Sequence, residues 1–288
     1  MKLVALWRDR LLQQEDLNFL LTNRIPRLAL TRLVGWYSRI ESPLLARGSI
    51  AVWRLFTRLD LGEAKKQRFT SLQDCFTREL KAGARPLAEE PGALLSPCDA
   101  IVGACGAVER GQVFQAKGFP YSVGELFGDP ARAAPFLGGQ FVTLRLTSAM
   151  YHRFHAPADL RVEHVTHIAG DTWNVNPIAL KRVERLFCRN ERAALHARLE
   201  DGRPIALVAV AAILVASLRL HCLDLLLHMD YPGPHELPVD PDRARAAKGE
   251  ELGWFQQGST IIVFLPPGFE LVLRSGQHIR MGEVLARG

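Results

Sequence analysis

Trp-Phe-Gln-Gln-Gly-Ser-Thr-Ile-Ile-Val-Phe-Leu-Pro-Pro, Trp254 to Pro267, sets a polar turn directly before a β-branched apolar run. The run Ile261 to Leu265 is short, apolar and closed by two prolines, which predicts a buried strand. Gly258 lacks a Cβ, so the backbone there can bend sharply and let another group approach. Ser259 then stands at a strand entrance beside an unhindered carbonyl. A serine so placed can attack the carbonyl before it, provided one group takes its proton and another holds the oxyanion. By itself the pattern is more simply a Gly-Ser turn ahead of a strand.

Outward from this stretch, the same β-rich signature recurs from Leu94 onward. Ile101–Val108, Gly111–Ala116, Gln140–Leu146, Leu160–Ile168, Ile205–Leu218 and Phe269–Leu273 are aliphatic or β-branched runs closed by turn residues. Ile205–Leu218 is too short to span a bilayer as a helix and is followed by Arg219, His221 and Asp224; it predicts one buried strand or two. Tyr121–Leu126 and Lys181–Phe187 predict brief helices, and Phe69–Leu80 a short capped one.

The first 60 residues read as helices. Leu30, Leu33, Val34 and Tyr37 recur at helical spacing, as do Val52, Leu55, Phe56 and Leu59. Trp7, Trp36 and Trp53 lie here among arginines. Such a face describes either an interfacial helix lying on a membrane or a helix packed on its own core. The predicted class is therefore α+β: N-terminal amphipathic helices, then a mainly antiparallel β core, sandwich- or barrel-like, with a few short helices. Residues 1–65 are the expected helical membrane-association region and 66–288 the expected β-rich catalytic domain.

Charge follows the same division. Residues 1–60 carry ten basic and five acidic residues, so +5 of the formal +6 resides there. Its basic residues are interleaved with large aliphatics, which argues against nucleic acid and leaves an anionic membrane surface as partner. The five cysteines are scattered and odd in number, without Cys-x-x-Cys, which argues against a disulfide scaffold or a zinc-cysteine site and suits a reducing compartment. No signal peptide is evident at Met1.

Three residue types could serve the serine. Asp99, in Ser96-Pro-Cys-Asp-Ala, precedes a predicted strand and could be a turn residue or a carboxylate that fixes an imidazole. His152 and His155 lie in Tyr151-His-Arg-Phe-His-Ala-Pro, and His164 and His167 repeat that spacing. Residues three apart point to opposite faces of a strand, so a four-histidine metal site is not expected, and no metal is predicted. A proton carrier is the better chemical reading. Asp99, His155 and Ser259 together make a candidate Asp–His–Ser relay.

Seven blocks, in order, extend this. They are Arg78 to Leu87, Ser96-Pro-Cys-Asp-Ala, Phe114-Gln-Ala-Lys-Gly-Phe-Pro-Tyr-Ser, Tyr151-His-Arg-Phe-His-Ala-Pro, Gly170-Asp-Thr-Trp-Asn-Val-Asn-Pro, Leu186-Phe-Cys-Arg-Asn-Glu-Arg and Gly253-Trp-Phe-Gln-Gln-Gly-Ser-Thr. Together they resemble the phosphatidylserine decarboxylases of the bacterial, membrane-associated type over nearly the whole chain. The resemblance implies self-cleavage between Gly258 and Ser259. The Ser259 oxygen attacks the Gly258 carbonyl to give an ester, β-elimination leaves dehydroalanine, and water converts that to a pyruvoyl group and ammonia. The products are a large chain, 1–258, and a small pyruvoyl chain, 259–288. Asp99 and His155 match the family's activating pair, and the pyruvoyl cofactor forms a Schiff base with the substrate amine. His152 is the candidate proton donor after CO2 leaves. The resemblance further implies phosphatidylserine as substrate, a homodimer of processed pairs, and a peripheral place on the cytoplasmic side of the inner membrane.

Three departures stand out. Gln257 replaces the family's usual leucine, the strand Val210 to Ala216 is alanine-rich where glycine is usual, and His221 to Asp230 matches no family block. The alternative enzyme is a membrane-associated serine hydrolase or protease using the same Asp99, His155 and Ser259. A carrier-like β domain is suggested by the Gly276-Gln-His-Ile-Arg-Met-Gly-Glu-Val-Leu turn, but the modifiable lysine such a turn needs is absent.

Overall fold

A computed structural model describes residues 15–115, 119–214, 217–223, 225–228, 231–232, 235–256 and 260–288. The predicted strand is Thr260–Leu265, buried at every position. It lies between Gln140–Arg145 and Pro204–Val210, antiparallel to both. Neighbours occupy both edges and side chains are covered on both faces, so the sequence shows a continuous apolar run and no polar alternation.

That strand is inside a nine-stranded sheet. In spatial order it runs Glu236–Leu237, Leu160–Ile168, Arg192–Leu199, Pro204–Val210, Thr260–Leu265, Gln140–Arg145, Ala100–Ala107 and His278–Ile279, with Arg245–Ala246 also paired to Leu160–Ile168. A four-stranded sheet follows the order Leu225–His228, Ser217–Leu220, Glu251–Phe255, Arg153–His155. Ala93–Leu95, Val284–Arg287 and Glu270–Leu271 form a third sheet. The pairings in all three are antiparallel, as expected of an α+β chain with a β core.

Several elements differ from the sequence reading. Ile205–Leu218, read as one buried strand or two, is two, and what differs is that they lie in different sheets, at Pro204–Val210 and Ser217–Leu220. Phe69–Leu80 is helical only over Leu72–Phe76, where the Ser71 hydroxyl caps the helix by accepting from the Asp74 amide at 3.0 Å. Lys181–Phe187 is mostly a break. One helix, Pro177–Arg182, starts earlier at an Asn176 cap, and a second, Leu186–Arg189, follows Arg185, whose φ is 51°. The strand Arg192–Leu199 carries no apolar alternation because Arg192 and His196 are themselves buried in it. Arg192 is accommodated by donating to the carbonyls of Leu126, Cys188, Asn190 and Glu125.

The helices Glu15–Asn23, Arg27–Ser38 and Pro43–Phe56 precede this core in the chain. Two of them carry much of their apolar side outward. The buried positions of Arg27–Ser38 are Thr31 and Ser38, while Leu33, Trp36 and Tyr37 are exposed. Val52 and Phe56 are exposed as well, although Ala46 and Ile50 of the same helix are buried. Much of the apolar stripe read from the sequence therefore faces outward. Polar contacts fasten these helices to the core. Asn23 Oδ1 accepts from the Asn174 amide, Thr31 Oγ1 from the Leu214 amide, and Arg27 forks onto Asp171 while lying 3.7 Å above the Trp173 ring.

Candidate active site

The strands flanking Thr260–Leu265 end together, and the chain beyond them shapes a cavity of about 420 Å³. Arg145 to Ser148 continue one flanking strand; Ala212 to Leu214 follow the other. Val34 and Trp53 from the N-terminal helices, with Leu72 and Phe76, close the remaining wall. Thr260 opens its strand beside this region, fully buried, opposite Arg145 on one side and Val210 on the other. Gln257, Gly258 and Ser259 lie outside the described residues, as do Val215 and Ala216 of the alanine-rich departure and Asp224, Met229 and Asp230. The described remainder of His221 to Asp230 turns into the Leu225–His228 strand, paired to Ser217–Leu220.

Asp99 is buried at the turn before Ala100–Ala107. Its carboxylate is gripped by Arg85, Nε to Oδ1 at 2.8 Å and Nη2 to Oδ2 at 2.5 Å, and accepts from the Met281 amide at 3.0 Å. Burial works against the charge on Arg85, yet the carboxylates of Asp99 and Glu63 hold it more firmly protonated than usual. Such forked, charge-assisted pairs are among the stronger polar contacts. Neither Arg85 nor its role was apparent from sequence, because the partner of a buried carboxylate is chosen by packing.

His155 ends the strand Arg153–His155, and its amide donates to the Pro97 carbonyl at 2.8 Å, close to Asp99 along the chain. Its ring does not bond Asp99. Nδ1 donates to the Gly249 carbonyl at 3.0 Å, which leaves Nε2 as acceptor for the Tyr151 hydroxyl at 3.0 Å. The turn that presents this carbonyl requires glycine: φ at Gly249 is 80°, and a Cβ would meet Leu87 Cδ1 at 2.5 Å. Burial lowers the His155 pKa, against the Gly249 carbonyl and Glu251, so the ring is neutral near pH 7, the state a general base needs. Asp99 and His155 are thus brought to adjoining turns, but each is held by other groups.

His152 is fully buried, and neither ring nitrogen has a hydrogen-bond partner among the described residues. Its ring centroid lies 4.0 Å from that of Phe76, which stacks in turn on Trp53 at 5.5 Å. Burial, and then the charge of Arg78, push its pKa down to about 3. Arg78 is itself buried and donates to the Cys75, Ala149 and Met150 carbonyls. A second, more polar cavity of about 470 Å³ includes Asp99, Arg85, Arg78 and Tyr151 and shares Thr147 and Ser148 with the first. His164 and His167 stand elsewhere, on Leu160–Ile168, near Glu236 and Glu191 respectively. Among the described residues no group of three or more potential ligands could hold a metal ion.

The buried histidines make stability acid-sensitive. His196 is also pushed down, to about 4, by burial and then by Arg132. Below the ordinary histidine value of 6.5 the unfolded chain takes up protons that the folded chain refuses until about 3 at His152 and about 4 at His196. Stability is therefore complete above that value and falls through the window beneath it, by ~1.4 kcal/mol per pH unit for each histidine. Urea midpoints taken between pH 7 and pH 5 should show this slope. His196→Gln should remove only part of it, because His152, His155 and His164 are lowered as well; an undiminished slope would exclude His196 as a source.

The chain is similar to known proteins over most of its length. The family model described as phosphatidylserine decarboxylase matches residues 72–287. A phosphatidylserine decarboxylase proenzyme of Bordetella petrii is 37% identical over 276 residues, covering 91% of this chain and 93% of its own. Proenzymes of the same name from Ectopseudomonas mendocina and Pseudomonas aeruginosa are each 38% identical and again cover 91% of this chain, with 94% and 93% of their own lengths.

Proposed function

The chain belongs to the phosphatidylserine decarboxylase family, and from that premise we propose that it converts phosphatidylserine to phosphatidylethanolamine and CO2 through a pyruvoyl group made from its own Ser259. The family match over residues 72–287 carries this reading. What supports the cofactor is the apolar cavity beside Thr260, the residue that follows the reactive serine in sequence. Once formed, the pyruvoyl ketone supplies an electrophile for the substrate amine and a sink for the electron pair that CO2 leaves behind.

The remaining work falls to side chains. His155, neutral and held in one tautomer by the Gly249 carbonyl, takes the Ser259 proton during self-cleavage after the Tyr151 hydroxyl yields its place on Nε2. Asp99, clamped by Arg85, contributes a fixed negative charge near that histidine and holds the Met281 turn. His152 delivers a proton to the product; its two unpartnered nitrogens and its stacking on Phe76, a wall of the cavity, support that role. Apolar walls exclude water from the departing carboxylate. Nothing in the comparisons favours the hydrolase reading, in which the chain stays whole.

The outward apolar side chains Leu33, Trp36, Leu44, Val52 and Phe56 support docking on a lipid surface, with the helices lying in the interface. Among the described residues no helix is long and apolar enough to cross a membrane. Peripheral attachment to the cytoplasmic face of the inner membrane, a helical attachment region 1–65, a catalytic domain 66–288 and a homodimer of processed pairs are parts of the same proposal.

Intact mass under denaturing conditions tests it. Two species are expected, 1–258 and a pyruvoyl-capped 259–288, instead of one of 32.1 kDa. Under native conditions they should migrate together, because 259–288 contributes the strand between Gln140–Arg145 and Pro204–Val210 and the partner strand of Ala93–Leu95. Borohydride with phosphatidylserine present should inactivate the protein. A single uncut chain that still releases CO2 would refute the scheme.

A further inference from the structure

Arg145 ends the strand Gln140–Arg145, opposite Thr260 on one neighbour and Ile101 on the other. Its guanidinium is half-buried, yet it makes no hydrogen bond, ion pair or ring contact with any described residue. The other well-buried arginines differ. Arg78 and Arg192 are saturated by backbone carbonyls, and Arg85 by two carboxylates. A guanidinium carries five donors in a rigid planar fork suited to carboxylate or phosphate. Withdrawing it from water without giving it a partner is unfavourable.

Its surroundings indicate where the partner comes from. Arg145 lines the cavity of about 420 Å³ and is the only charged side chain among the described residues that do so. It also lines a third, largely apolar cavity of about 710 Å³, floored by the small residues of Ala100–Ala107 and walled by Phe114 and Leu180, with Glu109 and Lys181 also among its lining. One cation thus stands where two apolar spaces meet, at the strand end that carries Thr260. We infer that Arg145 binds the phosphodiester of the lipid headgroup and so sets the register of the substrate in the cavity.

This inference rests on the decarboxylase reading and adds a residue to it. The substrate offers two anions, and the chemistry separates them. The carboxylate loses its charge as CO2 leaves, so a cation paired with it would stabilise the ground state more than the transition state and slow the reaction. The phosphodiester keeps its charge from substrate to product, so pairing with it aids binding at no cost to the chemical step. Reach agrees as well. Directly opposed residues of antiparallel strands are ~5 Å apart, and in phosphoserine two carbons and one oxygen separate the amine nitrogen from phosphorus. An amine held near the start of the Thr260 strand therefore brings the phosphate within range of the facing arginine.

The test uses the processed full-length protein in neutral-detergent mixed micelles, with Arg145→Met and Arg145→Lys variants first checked by mass for normal cutting. Because Arg145 has no side-chain partner among the described residues to lose, both are expected to fold. Arg145→Met should raise KM for phosphatidylserine by about 10- to 100-fold, the loss of one charge-assisted contact, with kcat changed less than about threefold. Arg145→Lys should fall between. Added phosphatidylethanolamine, which keeps the phosphodiester and lacks the carboxylate, should inhibit Arg145→Met more weakly by the same factor. An unchanged KM in both variants overturns the inference, as does a raised KM with undiminished product inhibition, which would put Arg145 on the carboxylate. Wild-type protein that releases no CO2 overturns the decarboxylase reading and this inference with it; an active wild type beside an unaffected Arg145→Met overturns the inference alone.

Discussion

Ser259→Ala is expected to remain a single chain of 32.1 kDa and to release no CO2. The two losses have one cause, since alanine offers neither the oxygen that opens the Gly258–Ser259 bond nor the precursor of the ketone. The fold should survive, because the neighbouring strand Thr260–Leu265 is held along both edges by backbone bonds that do not involve that hydroxyl. His155→Ala should also leave uncut precursor, for want of a base. Asp99→Asn should do the same at some cost in stability, since Arg85 would face a neutral amide. Loss of one partner of a buried ion pair typically costs ~3–5 kcal/mol. Mass spectrometry separates these outcomes within one preparation. A cut Ser259→Ala chain would end the proposal that this serine is the nucleophile, and efficient cutting of Asp99→Asn would remove Asp99 from the relay.

His152→Ala should separate the two reactions. Cutting should proceed normally, while CO2 release by the mature protein falls about 10²- to 10⁴-fold, the usual range for a positioned proton donor. The residue is suited to this because no side chain among the described residues bonds either nitrogen. Burial and Arg78 keep it neutral in the free protein, with a pKa of about 3, and a bound anionic headgroup would oppose that shift. His152→Gln is the control for packing, because it keeps side-chain volume and hydrogen-bonding capacity but carries no titratable nitrogen. If both variants turn over at the wild-type rate, His152 is a packing residue behind Phe76.

Strand existence was legible at Ile261 to Leu265, where burial is two-sided and every residue is apolar, because a continuous apolar run has few other uses. It was not legible at Arg192–Leu199, where a buried arginine satisfied by carbonyls hides the pattern. The N-terminal helices were readable from spacing, but not the direction of their apolar faces. Periodicity defines a stripe, and only the packed structure shows Thr31 and Ser38 turned inward and Leu33 and Trp36 outward.

The chemistry shows the same division. The amino-acid order nominated the Gly258–Ser259 bond, the two histidines and Asp99 as candidates, because the motifs that carry the family resemblance are local. Which group each of them touches was settled by tertiary structure. Asp99 belongs to Arg85, His155 lies between Tyr151 and Gly249, and Arg145 has no partner among the described residues. Contacts between residues far apart in the chain follow from how the sheets pack, and no local pattern records them.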